Sequence, residues 1–169
     1  MLIGLKLNHE GKLQTASVAL TLSEAEKRAE SLSSKLCYRG IHPDILKFCK
    51  KEYLEKDYFH TVHEAAKSLC LKIRDKTGMT EDGSELINNA FSTKNPRLAI
   101  NSLRTESERN QQNGLKEMLN GITHMVRNVT AHELRANWIV DEKETIEILS
   151  IISFLHNQLD VCVVVPSYP

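Results

Sequence analysis

The chain is poor in aromatic residues, at 5%, and has no excess of either charge, with Lys+Arg and Asp+Glu both at 22 in 169 residues. With few rings available, the core has to be built from Leu, Ile, Val and Ala, a usage that favours helix over sheet. The missing basic excess argues against a protein that grips duplex DNA through many phosphates. Any nucleic-acid contact must be local, or assembled by bringing two chains together. No apolar run approaches the ~20 residues needed to span a bilayer. The segment Met1–Lys6 lacks the charged-then-apolar order of a signal peptide. The cysteines, Cys37, Cys49, Cys70 and Cys162, form no CxxC pair. Three of them sit in helix-like apolar stretches, where a free thiol behaves as a small buried hydrophobe. These absences lead to the expectation of a cytoplasmic protein with reduced thiols and no membrane contact.

What is present reads as one helical domain, residues 23–169, behind an arm or hairpin, residues 1–22, in which Leu5 and Leu7 flank Lys6 before a turn-like Asn8-His9-Glu10-Gly11. Ser23 with Glu26 forms a capping-box pattern, and Ala29, Leu32 and Leu36 continue one helix face toward Gly40. Pro43 suits a first helical position, and Ile45, Leu46, Cys49, Tyr53 and Leu54 recur at helical spacing behind it. A longer helix is expected from Asp57 through Asp75, with Val62, Ala65, Ala66, Leu69, Cys70 and Ile73 as its apolar face. Gly83-Ser84 opens a short helix holding Leu86, Ile87, Ala90 and Phe91, and the stretch 92–103 reads as a loop.

Thr105 with Glu108 is a second capping box. Leu115, Met118, Leu119, Ile122, Met125, Val126 and Val129 are expected on the buried side of the helix it starts. Gly114 and Gly121 would allow close helix contact there. Asp141 with Glu144 starts a last helix carrying Ile146, Leu149, Ile152, Leu155 and Leu159. The β-branched tail around Val163 can pair with the N-terminal strand or pack in a dimer seam. The expected fold is all-α, an antiparallel bundle of four to five helices with short β-like ends.

The chemistry concentrates in Arg127-Asn128-Val129-Thr130-Ala131-His132. Histidine titrates near neutral pH and can take or give a proton. Arginine stays charged and can hold a phosphate through two parallel bonds. Asparagine offers donors and an acceptor, so it can orient either neighbour. Together they suffice for cutting RNA without a metal, because RNA carries its own 2′-hydroxyl nucleophile. Spacing sets a limit. On a regular helix, residues five apart point about 140° from each other, so Arg127 and His132 do not share a face. Either the helix ends before His132, or a second copy of the motif completes the site across a two-fold axis.

In this setting the Arg-Asn-x-x-x-His pattern resembles the HEPN superfamily (higher eukaryotes and prokaryotes nucleotide-binding). His42-Pro43 before a helix, the long helix 58–75 and Arg127-Asn128…Ala131-His132-Glu133 resemble its Ymh-type group, over roughly residues 41 to 160. That group is linked to abortive infection. The resemblance implies a homodimeric, metal-independent endoribonuclease on single-stranded RNA. It would serve as a toxin or antiphage effector, with an antitoxin or defence-system protein as a further partner. It also implies Arg127 and His132 as catalytic, Asn128 as supporting, and no cofactor. The alternative is a non-catalytic nucleotide- or protein-binding module. One departure is that β-branched Val129-Thr130 stands where relatives are expected to carry a helix-breaking proline.

Other polar residues have plainer readings beside their functional ones. Arg97, Arg104 and Arg109, with Lys94, form a loose basic stretch suited to backbone phosphates, though each alone reads as a solvated loop residue. His124 and Glu133 flank the motif and can approach substrate. A satisfied residue at the bundle edge is the ordinary role for His124, and a solvated charge that for Glu133. His60 and His63 lie on one helix face without a third zinc ligand in the sequence.

Overall fold

Aliphatic residues at helical spacing build an all-α bundle with short β segments. The computed structural model describes residues 4–7, 13–16, 22–50, 58–128 and 140–166. The helices are α1 (Leu22–Tyr38), α2 (Pro43–Leu46), α3 (Tyr58–Thr77), α4 (Gly83–Ala90), α5 (Glu106–Ile122) and α6 (Glu142–Val161). Strands β1 (Gly4–Leu7) and β2 (Leu13–Ala16) form an antiparallel hairpin, with Gly4 opposite Ala16 and Leu7 opposite Leu13. Gly40, at φ +63°, stops α1 in the left-handed conformation that a Cβ would penalise.

The centre of the bundle is α3 against α6. Val62, Ala65, Ala66, Leu69 and Ile73 of α3 are buried, as are Leu149, Ile152, Leu155 and Leu159 of α6. Burial of each large aliphatic side chain contributes roughly 1.5–3 kcal/mol. Leu86 and Ile87 of α4, Phe91 after it, and Leu115, Leu119 and Ile122 of α5 join the same core. Thr105 caps α5 with the reciprocal box read from the sequence. Its Oγ1 accepts from the Glu108 amide at 3.2 Å, and Glu108 Oε2 accepts from the Thr105 amide at 2.9 Å. Asp141 caps α6 by accepting from the Glu144 amide at 2.8 Å. Lys76 closes the other end of α6, donating to the carbonyls of Asp160 at 3.3 Å and Cys162 at 2.9 Å.

Several expectations are corrected. Among the described residues, strand β4 (Val163–Val164) does not pair with the N-terminal hairpin. It runs antiparallel to β3 (Leu98–Ala99), which lies in the stretch read as loop. The other edge of β3 is completed by Gln112, fully buried on α5. Its amide donates to the Leu98 carbonyl at 2.7 Å and accepts from the Ile100 amide at 3.1 Å. A side-chain amide thus stands in for a third strand.

After α2, the chain tightens into a 3₁₀ turn over Lys47–Cys49 and reaches extended Lys50. Ile45 of α2 and Phe48 of the turn, three apart, are buried, a spacing that 3₁₀ winding aligns. Tyr53 and Leu54 lie outside the described residues. Cys70 and Cys162 are buried, whereas Cys37 is exposed on α1.

Met118 and Met125 are 45% and 59% exposed, not buried. Leu115, Leu119, Ile122 and Val126 fill the core stripe, and the two methionines fall on its flank. Among the described residues, Gly114 and Gly121 do not mediate helix contact, since a Cβ at either would meet nothing within 4 Å. Gly114→Ala should therefore stabilise the chain by about 0.5–1 kcal/mol, read as a higher urea midpoint.

Candidate functional site

Helix α5 does not end at Ile122. It widens into a π-helical turn, Thr123–Asn128, that carries His124, Arg127 and Asn128. Val126 anchors the turn in the core, while Arg127 keeps 23% of its side chain exposed. An i→i+5 turn is wider than an α-turn, so it lessens the divergence of residues five apart. Such turns occur frequently at functional sites.

The π turn docks on the start of α4. The Arg127 guanidinium pairs with the Asp82 carboxylate. Asp82 also accepts from Arg74 of α3 at 2.8 Å. Burial alone would raise the Asp82 pKa. The Gly83 amide, Arg74 and Arg127 outweigh that and hold the carboxyl below its usual range. Gly83 sits at φ +56°, and a Cβ there would stand 3.0 Å from Arg127 Nη1. The glycine thus serves both the backbone turn and the close approach of the guanidinium. His124 Nε2 shares a hydrogen bond of 2.7 Å with Ser84 Oγ. Asp82-Gly83-Ser84 therefore receives two polar side chains of the turn, Arg127 and His124. On α3, His63 is driven toward its neutral form mainly by burial, with the Arg127 charge adding to the effect. Burial also raises the Cys70 thiol, which Arg127 partly offsets.

The remaining expected site residues are placed differently. Arg97 Nη2 donates to the Thr77 carbonyl at 3.4 Å. Arg109 Nη1 donates to the carbonyls of Leu103 and Arg104 at 3.1 and 3.0 Å, fastening the loop where Leu103 adopts φ +56°. Both guanidinia hold backbone. Arg104 is exposed beside the capping box. His132 and Glu133 lie outside the described residues. Asp82, Arg74 and Ser84 were not expected at the site. The Asp-Gly-Ser start of α4 was visible, but not its distant partners.

A second polar cluster joins α2, α3 and the C-terminal half of α6. His42 Nε2 lies 2.7 Å from Asp160 Oδ2, and its Nδ1 accepts from the Asp44 amide at 3.0 Å. His156, almost fully buried, has Nε2 at 2.8 Å from Ser68 Oγ. Lys72 of α3 pairs with Asp160 and lies 3.5 Å from Asp44 Oδ2. Burial pushes the His156 pKa down to about 4, and Lys72 adds to the shift. The sequence held one sign of this cluster. His156 occupies the stripe of Leu149, Ile152 and Leu159, where an apolar residue belongs.

No curated protein matches the chain. No solved structure matches it. Among the described residues, no helix is long and apolar enough to cross a membrane. A protein-family model described as "Protein of unknown function (Hypoth_ymh)" matches residues 39–159, a stretch that contains the π turn and its α4 dock. The chain belongs to the Hypoth_ymh family.

Proposed function

We propose that this chain is a HEPN-type endoribonuclease that cuts single-stranded RNA without a metal ion, acting in the cytosol as a toxin or antiphage effector. The observation that carries the reading is the π turn, which departs from α-helical winding at the Arg127-Asn128 end of the motif. His132 takes the proton of the 2′-hydroxyl as general base, and the resulting oxygen attacks the adjacent phosphorus; the P–O5′ bond breaks, the 5′-oxygen leaves as a hydroxyl after taking a proton, and a 2′,3′-cyclic phosphate remains. Arg127 steadies the negative charge that grows on the phosphate oxygens. Asn128 orients the pair. A two-fold homodimer would set two motifs against each other, which reconciles local cationic chemistry with zero net charge. Exposed Met118 and Met125, on the helix that leads to Arg127, supply apolar surface suited to such a partner.

A second reading is a non-catalytic module that binds a nucleotide or a partner protein, such as an antitoxin. It is favoured by the Arg74–Asp82–Arg127 network, which gives Arg127 a structural task. The test is cleavage of single-stranded RNA in EDTA. Wild type should leave a 2′,3′-cyclic phosphate. His132→Ala should lower the rate by roughly 10²–10⁴-fold while keeping its helical circular dichroism. Equal cutting by the variant removes the assignment, and nucleotide binding with no cleavage by wild type selects the second reading.

A further inference from the structure

The geometry points to a binding site for a divalent transition metal, zinc being the fitting probe, formed by His42 Nδ1, Asp44 Oδ2 and His156 Nδ1. One ligand atom from each of the three residues lies within 4.8 Å of the other two. Asp44 Oδ2 is 3.7 Å from His42 Nδ1 and 3.8 Å from His156 Nδ1. Ligand atoms on a tetrahedral zinc, at ~2.0–2.1 Å from the metal, stand about 3.3–3.4 Å apart. The Asp44 distances therefore need to close by only a few tenths of an ångström.

The outer hydrogen bonds set both imidazoles for this task. Ser68 Oγ donates to the Ala65 carbonyl at 2.7 Å, so it accepts from His156 Nε2–H. That fixes the tautomer and leaves the Nδ1 lone pair bare. Among the described residues, His156 Nδ1 is a buried atom with no hydrogen-bond partner. Asp160 receives His42 Nε2–H in the same way, the carboxylate–histidine arrangement that orients metal ligands.

Three existing contacts compete. The Asp44 amide now uses the His42 Nδ1 lone pair, so metal binding costs one cap bond of the four-residue α2. Lys47 and Lys72 each stand 3.5 Å from an Asp44 oxygen and supply counter-charge. Nitrogen donors favour a transition metal over calcium or magnesium. Three protein ligands leave a fourth position for water.

The inference is independent of RNA cleavage. At about 100° per residue, Ser68 and Lys72 lie on one side of α3 and Cys70 and Arg74, which face the Arg127 cluster, on the other.

The test is titration of the EDTA-stripped, dialysed chain with Co²⁺, read by visible absorption, followed by displacement with Zn²⁺. One ion per chain is expected, with a Zn²⁺-dependent rise in Tm. Asp44→Ala, at a half-exposed position, should abolish both. Asp160→Asn, which acts through His42, should weaken affinity by roughly 10–100-fold. His63→Gln should leave binding unchanged. Failure of the folded wild type to bind Co²⁺ overturns the site, as does binding that survives Asp44→Ala. Loss of binding in His63→Gln overturns it too, by moving the metal to His60 and His63. Cleavage in EDTA is read separately and fails or succeeds without reference to this result.

Discussion

Arg127→Ala should lower RNA cleavage by roughly 10²–10³-fold, the usual cost of losing one well-placed donor to a developing charge. The loss should fall on kcat, because the guanidinium is needed most where negative charge grows. Arg127→Lys should recover part of it, since an ammonium keeps the charge but not the two-pronged geometry. Folding should survive. The ion pair with Asp82 is partly open to water, with side-chain exposures of 23% and 50%, and such pairs contribute about 1 kcal/mol or less. Single-turnover cleavage beside a urea melt separates the two effects. An alanine variant that cuts at the wild-type rate would leave Arg127 as a fastener between the π turn and α4. Asp82→Asn gives a second view. If Asp82 only aims the guanidinium, its loss should change kcat less than Arg127→Ala does.

Phe91→Ala should cost about 3–5 kcal/mol of stability. That is a large share of the ~5–15 kcal/mol typical of a domain. Phe91 is fully buried immediately after α4, and its amide donates to the Ile87 carbonyl at 3.0 Å. A cavity would remain against Leu86, Ile87 and their neighbours in the same core. The urea midpoint should fall with little change in slope. Tyr38→Ala is the control. That side chain is 95% exposed at the end of α1 and should move stability by less than about 0.5 kcal/mol. A Phe91 variant as stable as the control would mean that the core repacks around the gap.

The long helices were legible because their signals are local. A capping box at Thr105, a side-chain cap at Asp141, a left-handed stop at Gly40 and apolar residues at 3.6 spacing each act within a turn or two. The edge of the apolar stripe was not. Met118 and Met125 fit the helical period, but only the packing of neighbouring helices decides how wide the buried face becomes. The same holds for Gly114, whose close-contact reading needed a helix opposite it that the fold does not provide.

At the candidate site, the sequence by itself determined that Arg127, Asn128 and His124 stand together at the end of a long apolar helix, because covalent adjacency guarantees it. It also determined the all-α class, through aliphatic periodicity. Only the tertiary structure decided that Asp82, 45 residues from Arg127 along the chain, would hold the guanidinium. The same is true of Gln112 bonding β3 and of His156 meeting His42 and Asp44. Hydrogen bonds and ion pairs reach only a few ångströms and carry no trace in local periodicity. Their partners become known when the packing of α3, α4 and α6 brings distant segments within that range.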